Sequence, residues 1–151
     1  MTTADNKVLV DTNVLISATL PARAQYENAL RVLNDWPNQG VRLCTTGQIL
    51  REYLVVATRP VELNGLSLSA AVASENVAKL RGRMLLCDET RAVFTRLQEL
   101  MAEVGFTGKQ VHDANVVATA LTHGVSSVVT ANTAHFERFT PLVEILNLDD
   151  A

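Results

Sequence analysis

Four short polar clusters interrupt the apolar segments of this chain, and each lies where a strand would end or a helix would begin. The clusters are Asp11-Thr12-Asn13, Arg51-Glu52-Tyr53, His112-Asp113-Ala114 and Thr130-Ala131-Asn132. Burying a carboxylate without a partner is costly, so acids beside core segments need a compensating charge. Carboxylate and amide oxygens are ligands that hard divalent cations prefer. The clusters therefore indicate a cation site assembled from distant parts of the chain.

The chemistry expected at such a site is phosphoryl transfer. Mg²⁺ is usually held by one or two carboxylates together with waters and the phosphate oxygens of a substrate. Asp11, Glu52 and Asp113 would supply three negative charges as metal ligands. The ion would polarise a phosphoryl group, lower the pKa of an attacking water and offset charge on the leaving oxygen. No His or Lys base is then required, and the start of a helix at Asp113 would favour its ionised form.

Every acid in this set also has a purely structural interpretation. Asp11 could cap the helix that follows it, as Asn13 could, because Asp and Asn often fill that role. Glu52 could be a solvated helix acid, and Asp113 could be only a cap before an apolar helix. Thr12 and Asn13 could merely order a turn.

The last cluster is the most ambiguous. Thr130 could be a plain strand-end hydroxyl or could support the metal site. Asn132 is a neutral amide whose carbonyl oxygen can bind a hard cation but brings no charge, so a second metal should bind more weakly. His112 and His123 lack the spacing of a zinc site and are expected to be hydrogen-bonded, and His135 is expected at the surface.

Composition limits the class of protein. The chain has 151 residues, of which 48% are hydrophobic and 19% charged, so we expect a single domain over residues 1–151 with one substantial core. Its apolar stretches are too short to cross a bilayer, and the start MTTADNK lacks a secretory pattern, which makes a cytosolic protein the default. A net charge of −3 argues against a general nucleic-acid coat protein. Cys44 and Cys87 are expected to be buried thiols.

Strand and helix patterns alternate along the chain. They predict strands at 7–10, 41–44, 84–87, 127–130 and 143–146, and helices at 14–20, 22–36, 69–81, 89–104, 113–123 and 134–139. A capping-box pattern from Thr45 to Gln48 predicts one more helix, which ends near Pro60. Such alternation favours a three-layer α/β/α sandwich with a mainly parallel sheet. Ligands bind such sheets at the carboxyl ends of the strands, where the strand order reverses, and there the four clusters could meet.

The clusters resemble, in order and in separation, the motifs of PIN-domain nucleases. The similar segments are Val-Leu-Val-Asp11-Thr12-Asn13-Val-Leu-Ile, Arg51-Glu52-Tyr53 with Thr58-Arg59-Pro60, Val111-His112-Asp113-Ala114-Asn115 and Val-Val-Thr130-Ala-Asn132. In length the chain resembles the stand-alone VapC-type toxins of toxin–antitoxin pairs. The resemblance implies a Mg²⁺- or Mn²⁺-dependent endoribonuclease with Asp11, Glu52, Asp113 and Asn132 as catalytic residues. Position 132 departs from the family, which often has an acid there.

The same resemblance implies the partners. They are an RNA substrate, a small antitoxin protein and a second copy of the chain, with no membrane. Segment 66–85 could form part of an antitoxin groove or of a dimer interface, although a plain core helix explains the same pattern. Cationic residues near the clusters are candidate phosphate contacts or solvated surface charges; they are Arg23, Arg51, Arg59, Lys109 and Arg138.

Two other functional classes stay open. A Mg²⁺-dependent phosphatase could use Asp11 as a nucleophile, but it would be expected to carry a second Asp at position 13, where this chain has Asn. A non-catalytic PIN-like domain that binds RNA or protein is made more credible by the neutral Asn132.

Overall fold

A five-stranded parallel sheet organises the part of the chain that the computed structural model describes, residues 6–151. Residues 1–5, which contain most of the segment considered for a secretory signal, lie outside the described part. The strand order is β3-β2-β1-β4-β5, and all four pairings are parallel. The strands are β1 (Lys7–Val10), β2 (Arg42–Thr46), β3 (Leu85–Cys87), β4 (Ser127–Thr130) and β5 (Glu144–Asn147). The strand order reverses between β1 and β4, so these two central strands define the switch point.

Helices connect successive strands. The α-helices are α1 (Thr12–Thr19), α2 (Tyr26–Leu30), α3 (Gly47–Thr58), α4 (Ala70–Arg81), α5 (Arg91–Val104) and α6 (Gln110–Thr122). Helix α2 continues into one π-helical turn, Arg31–Asp35. Short 3-10 turns follow at Pro37–Gln39, Val61–Leu63, Thr133–Phe139 and Leu148–Asp150. No helix in residues 6–151 is both long enough and apolar enough to cross a membrane.

The helices cover both faces of the sheet. From β1 the chain steps outward to β2 and β3 through α1 to α4, which contact one another, and then returns through α5 and α6 to β4. Right-handed crossovers in opposite directions place the two helix groups on opposite faces. The three-layer α/β/α sandwich predicted from the sequence is confirmed.

The core lies between these layers. Leu9 and Val10 of β1, and Val128 and Val129 of β4, are fully buried, as expected for central strands of a parallel sheet that is covered on both faces. The edge strands β3 and β5 are more exposed. Cys44 and Cys87 are buried free thiols, as predicted.

Two element boundaries differ from the sequence prediction in ways that concern function. The cap of α3 is Thr46, whose Oγ1 accepts a hydrogen bond from Ile49 N at 3.1 Å, and not Thr45, which lies inside β2. The predicted capping box is not formed, because the Gln48 side chain turns to other partners. Helix α6 begins at Gln110, three residues before the predicted start. Asp113 is therefore part of the first helical turn and does not cap the helix.

Candidate active site

Asp11 and Thr130 are neighbours at the switch point of the sheet. Asp11 directly follows β1, Thr130 ends β4, and Asp11 N donates to Val129 O at 3.0 Å. The Thr130 hydroxyl donates to Asp11 Oδ2 at 2.8 Å. Parallel pairing of β1 with β4 thus brings together two side chains that are 119 residues apart in the sequence.

Asn13 completes this part of the site. Its Nδ2 donates to Asp11 Oδ2 and to Thr130 Oγ1, both at 3.1 Å, and its Oδ1 accepts from Ala131 N at 2.9 Å. Asp11 also caps α1, since its Oδ1 accepts from Thr12 N at 2.8 Å. The structural interpretations of Asp11 and Asn13 as capping and turn residues are therefore correct, but the same contacts fix the orientation of the Asp11 carboxylate.

Glu52 is held in place from two sides. Its Oε2 accepts from Thr12 Oγ1 at 3.0 Å and its Oε1 from Gln48 Nε2 at 2.9 Å. Gln48 is buried, donates also to His112 O at 3.0 Å, and accepts from Asn115 Nδ2 at 2.7 Å. Glu52 is thus not the solvated helix acid that the sequence allowed.

The sequence pattern predicts Gln48 only as part of a capping box and indicates no separate role for Asn115. These amides tie α3 to α6 and connect the segment of Glu52 to that of Asp113. One signal in the sequence could have revealed Gln48, because a polar side chain one turn before Glu52 on the same face of a helix is placed to contact it.

Asp113 projects from the first turn of α6 and its side chain is 31% exposed. Burial, followed by repulsion from Asp11, raises its pKa to about 6, although His135 acts in the opposite direction. The position of Asp113 in the first helical turn led to the expectation that the helix dipole favours its ionised form; burial and the nearby carboxylates act in the opposite direction and raise the pKa.

The carboxyl group of Asp11, like that of Asp113, has a raised pKa. Burial raises its pKa above the usual range, hydrogen bonds from Thr130 and Thr12 offset part of that shift, and the charge of Glu52 adds to it. Two carboxylates with raised pKa values therefore share a region that is short of positive charge. A cation would relieve this imbalance.

The three acids line one open cavity of about 390 Å³. Asn132 and His135 also line it, and His135 Nδ1 lies 3.9 Å from Asp113 Oδ2. His135 is at the surface as predicted, with 61% of its side chain exposed, yet it belongs to the site. The complete lining is Asp11, Thr12, Asn13, Ile16, Arg23, Glu52, Val56, Arg59, Asn64, Asp113, Asn132 and His135.

The other histidines lie outside this cavity. His123 Nε2 is 2.7 Å from Asp88 O, which agrees with the predicted hydrogen bond. His112 is exposed and its side chain makes no hydrogen bond within residues 6–151, so the prediction of a hydrogen-bonded side chain is wrong for this residue. Its backbone carbonyl accepts from Gln48 Nε2 at 3.0 Å. Among the cationic candidates, Arg23 and Arg59 line the cavity, whereas Arg138 binds Gly105 O and Gln110 Oε1 elsewhere.

The donor set fits a hard cation that keeps part of its water shell. No group of three or more His, Cys, Asp and Glu side chains within residues 6–151 forms a ready-made metal cage. Mg²⁺ does not need one, because it retains several waters and takes one or two protein carboxylates. Oxygen ligands from Asp11 and Asp113, with Glu52 and the Asn132 amide alongside them, match that requirement, whereas the lining contains no cysteine and one histidine, His135, which is fewer than the Cys and His ligands of a structural zinc site.

Residues 7–134 match the family model described as the PIN domain. No curated protein sequence matches the chain at a significant level.

Solved structures of toxin–antitoxin proteins share the fold. VapBC2 from Rickettsia felis, bound to a promoter DNA fragment, is 17% identical to this chain and superposes with a TM-score of 0.68. The match covers 93% of this chain and 98% of the VapBC2 chain. DNA-bound VapBC from Salmonella typhimurium is 20% identical with a TM-score of 0.67, covering 94% and 98%. Mycobacterium tuberculosis VapC20, a toxin that cleaves the Sarcin-Ricin loop, is 16% identical with a TM-score of 0.59, covering 80% and 86%. At these identities the likeness concerns the fold.

Proposed function

The chain belongs to the PIN domain family, and from this premise we propose that it is a Mg²⁺- or Mn²⁺-dependent endoribonuclease, the toxin of a toxin–antitoxin pair. The observation that carries the proposal is the meeting of Asp11, Glu52 and Asp113 in one open cavity at the switch point of the sheet. The likeness to VapC20, whose substrate is an RNA, supports RNA as the substrate class.

A divalent cation bound by Asp11 and Asp113 would supply the Lewis acidity that polarises a phosphodiester and makes a water more acidic. The protein contributes by fixing the orientation of the side chains that would bind the cation. Asn13 and Thr130 fix Asp11, and Thr12 fixes Glu52. Oriented groups of this kind lose little energy to reorganisation when the substrate reacts.

Asn132 and Glu52 have secondary roles in this proposal. The Asn132 amide oxygen can orient water or the cation but cannot add negative charge, so we propose one tightly bound cation and weak binding of a second. Glu52 keeps the cavity negative on the side of α3. His135, beside Asp113, can contact a phosphate when it is protonated.

A second surface supports the antitoxin part of the proposal. A groove of about 290 Å³ lies between α1, α2, α3 and α4, with an apolar floor that includes Leu15, Leu33 and Tyr53 and with Lys79 and Arg83 on it. An amphipathic helix of a partner would bury its apolar face there. Helix α4, which lies within segment 66–85, contributes Asn76, Lys79 and Leu80 to this groove. We also propose, from the family resemblance, that the chain forms a homodimer and acts as a single nuclease domain in the cytosol.

The test is cleavage of a mixed-sequence RNA in Mn²⁺ by the protein and by its Asp113→Asn and Asp11→Asn variants, with Asp35→Asn as the matched control. Asp35 is exposed and remote from the cavity lining. We expect each cavity variant to lose at least a hundredfold in rate, since a charged metal ligand is removed, and the control to keep full activity.

Each other result points to a different conclusion. Equal cleavage by all variants would reveal a contaminating nuclease. Hydrolysis of small phosphate monoesters without RNA cleavage would favour the phosphatase alternative. RNA binding without cleavage in either metal would favour the non-catalytic domain.

A further inference from the structure

Two arginines line the cavity, and in the described part of the chain neither forms an ion pair with the acids there. Arg23 and Arg59 both line it, but within residues 6–151 the one ion pair that involves a cavity acid joins Asp113 to His135. Neither arginine therefore lies within ion-pair distance of a cavity acid among the described residues. The acids remain available for a cation, and the guanidinium groups remain available for anionic oxygens.

Arg59 has an unsatisfied donor at this place. Its Nε is buried and has no hydrogen-bond partner among residues 6–151. A terminal nitrogen of the same guanidinium makes one long contact, 3.4 Å to Asn64 O. A buried N–H without an acceptor is unfavourable and rare in folded proteins, so it calls for an acceptor supplied by something else. The side chain borders the open cavity, and because its Nε is shielded from water, contact with a ligand oxygen requires a small shift of the guanidinium toward the cavity.

The loop after α3 is built around Arg59. A side chain on Gly65 would place its Cβ 1.9 Å from Arg59 O and 2.7 Å from Arg59 Cβ, so the loop packs directly on this residue. Ser67 N donates to Arg59 O at 2.9 Å. Asn64 and Ser67 adopt positive φ angles of 63° and 51°, a region that Asn adopts readily and Ser less often.

We propose that Arg59 is the phosphate-binding residue of the site. Its Nε and a terminal N–H donate hydrogen bonds to one backbone phosphate of the RNA. Of the five cationic residues considered from the sequence, Arg59 alone combines a place in the cavity with a buried, unpartnered donor among the described residues. Arg23 also lines the cavity but is exposed and has a lesser role. This inference rests on the proposed function, because it requires RNA to enter the cavity.

The test measures binding of a short, fluorescently labelled RNA of mixed sequence over a range of KCl concentrations. The Asp113→Asn variant serves as a non-cleaving parent, and Arg59→Gln, Arg59→Lys, Gly65→Ala and Arg51→Gln are added to it singly. Arg51 is the matched control, because it is an exposed arginine on α3 outside the cavity. Thermal melts identify any variant that fails to fold, and Mn²⁺ binding by Arg59→Gln in the wild-type background checks that the cation site is intact.

We expect Arg59→Gln to weaken RNA binding by about tenfold or more, as the loss of a charge-assisted contact would. The slope of log affinity against log salt should fall by about 0.7, the value for one phosphate contact with a single strand. Arg59→Lys should keep most of the slope but lose affinity, since lysine cannot offer two parallel donors. Gly65→Ala should lower affinity too, because it displaces the backbone of Arg59.

Wild-type affinity and slope in Arg59→Gln, or a loss no greater than that in Arg51→Gln, would overturn the inference and leave the proposed function standing. If the wild-type protein neither binds nor cleaves RNA, the proposed function fails and this inference falls with it.

Discussion

Asp113 determines how the metal-free cavity responds to pH. Its pKa is raised from 3.8 to about 6, first by burial and then by Asp11. The folded protein therefore binds this proton more tightly than the unfolded chain does. Stability from this group is fully present below the unfolded pKa and is lost as pH rises from about 4 to about 6. A cation competes with the proton, so metal binding should strengthen over the same interval.

We predict that Asp113→Asn makes the metal-free protein more stable than wild type near neutral pH, by about 1 kcal/mol after allowance for solvent screening. The difference should shrink as the pH falls toward and below about 4, because wild-type Asp113 is protonated in both states only below its unfolded pKa of 3.8. Thermal unfolding in a chelating buffer at several pH values measures it. No gain in stability at neutral pH would mean that Asp113 carries no penalty for its buried charge.

Two buried threonines provide a matched pair for the hydrogen bonds of Asp11. Thr130 Oγ1 donates to Asp11 at 2.8 Å and accepts from Asn132 N at 3.0 Å. Thr45 Oγ1 is equally buried on β2 but has no hydrogen-bond partner among residues 6–151.

Thr130→Val should therefore lower the free energy of unfolding by about 2 kcal/mol and reduce RNA cleavage, because it leaves Asn132 N without its acceptor and removes one of the two side-chain hydrogen bonds to Asp11 Oδ2. Thr45→Val should change stability by less than about 0.5 kcal/mol or increase it, and should leave cleavage intact. Urea unfolding of both variants measures these changes in the free energy of unfolding. Similar losses in the two would show that the Asp11 network contributes nothing beyond packing.

Helix α3 carries Glu52 and helix α6 carries Asp113, the two cavity acids that do not lie at the switch point of the sheet. Gln48 links these two helices. Its amide contacts Glu52, His112 O and Asn115. The sequence predicted that both helices exist, since their apolar residues recur at helical spacing. It did not predict that Gln48 joins them, because a capping box and an interhelical contact require the same residue type and only the packing distinguishes them.

Gln48→Met keeps the volume of the side chain and removes its hydrogen bonds. We predict a loss of about 2 to 3 kcal/mol in unfolding free energy together with weaker Mn²⁺ binding, since Glu52 and the backbone of His112 lose their anchor. Gln98→Met on the exposed face of α5 serves as the control. If the two variants were equally stable and bound Mn²⁺ alike, the bridge between the helices would have no part in the site.

At the level of the whole molecule, the parallel sheet explains why distant clusters meet. The sequence was sufficient to predict five strands at nearly correct positions and the place of Asp11 and Thr130 at one edge, because these follow from local pattern and from the rule for parallel sheets. It could not predict which arginine lines the cavity. Arg51 in α3 and Arg59 at its C-terminal end look alike in the sequence, and the packing of the loop at Gly65 against Arg59 is seen only in the structure.

The groove between α1, α2, α3 and α4 leads to a separate prediction about the antitoxin. Ala18→Arg places a long charged side chain in that groove, whose lining includes Ala18, without removing a polar contact. Expression of the wild-type chain should arrest growth, and co-expression with the product of a neighbouring small gene should relieve the arrest. With Ala18→Arg the arrest should persist despite the partner, whereas Ala92→Arg on α5 should behave as wild type. Relief of both would place the partner elsewhere.

Calorimetric titration of Mn²⁺ into the metal-free protein at neutral pH tests most directly whether Asp11 and Asp113, with Glu52 beside them, bind a divalent cation. We predict saturable binding by the wild type, with affinity at least tenfold lower in Asp11→Asn and in Asp113→Asn, a smaller loss in Glu52→Gln and no change in Asp35→Asn. Undetectable binding by the wild type, or equal affinity in the wild type and the Asp11 and Asp113 variants, would contradict a cation site in this cavity.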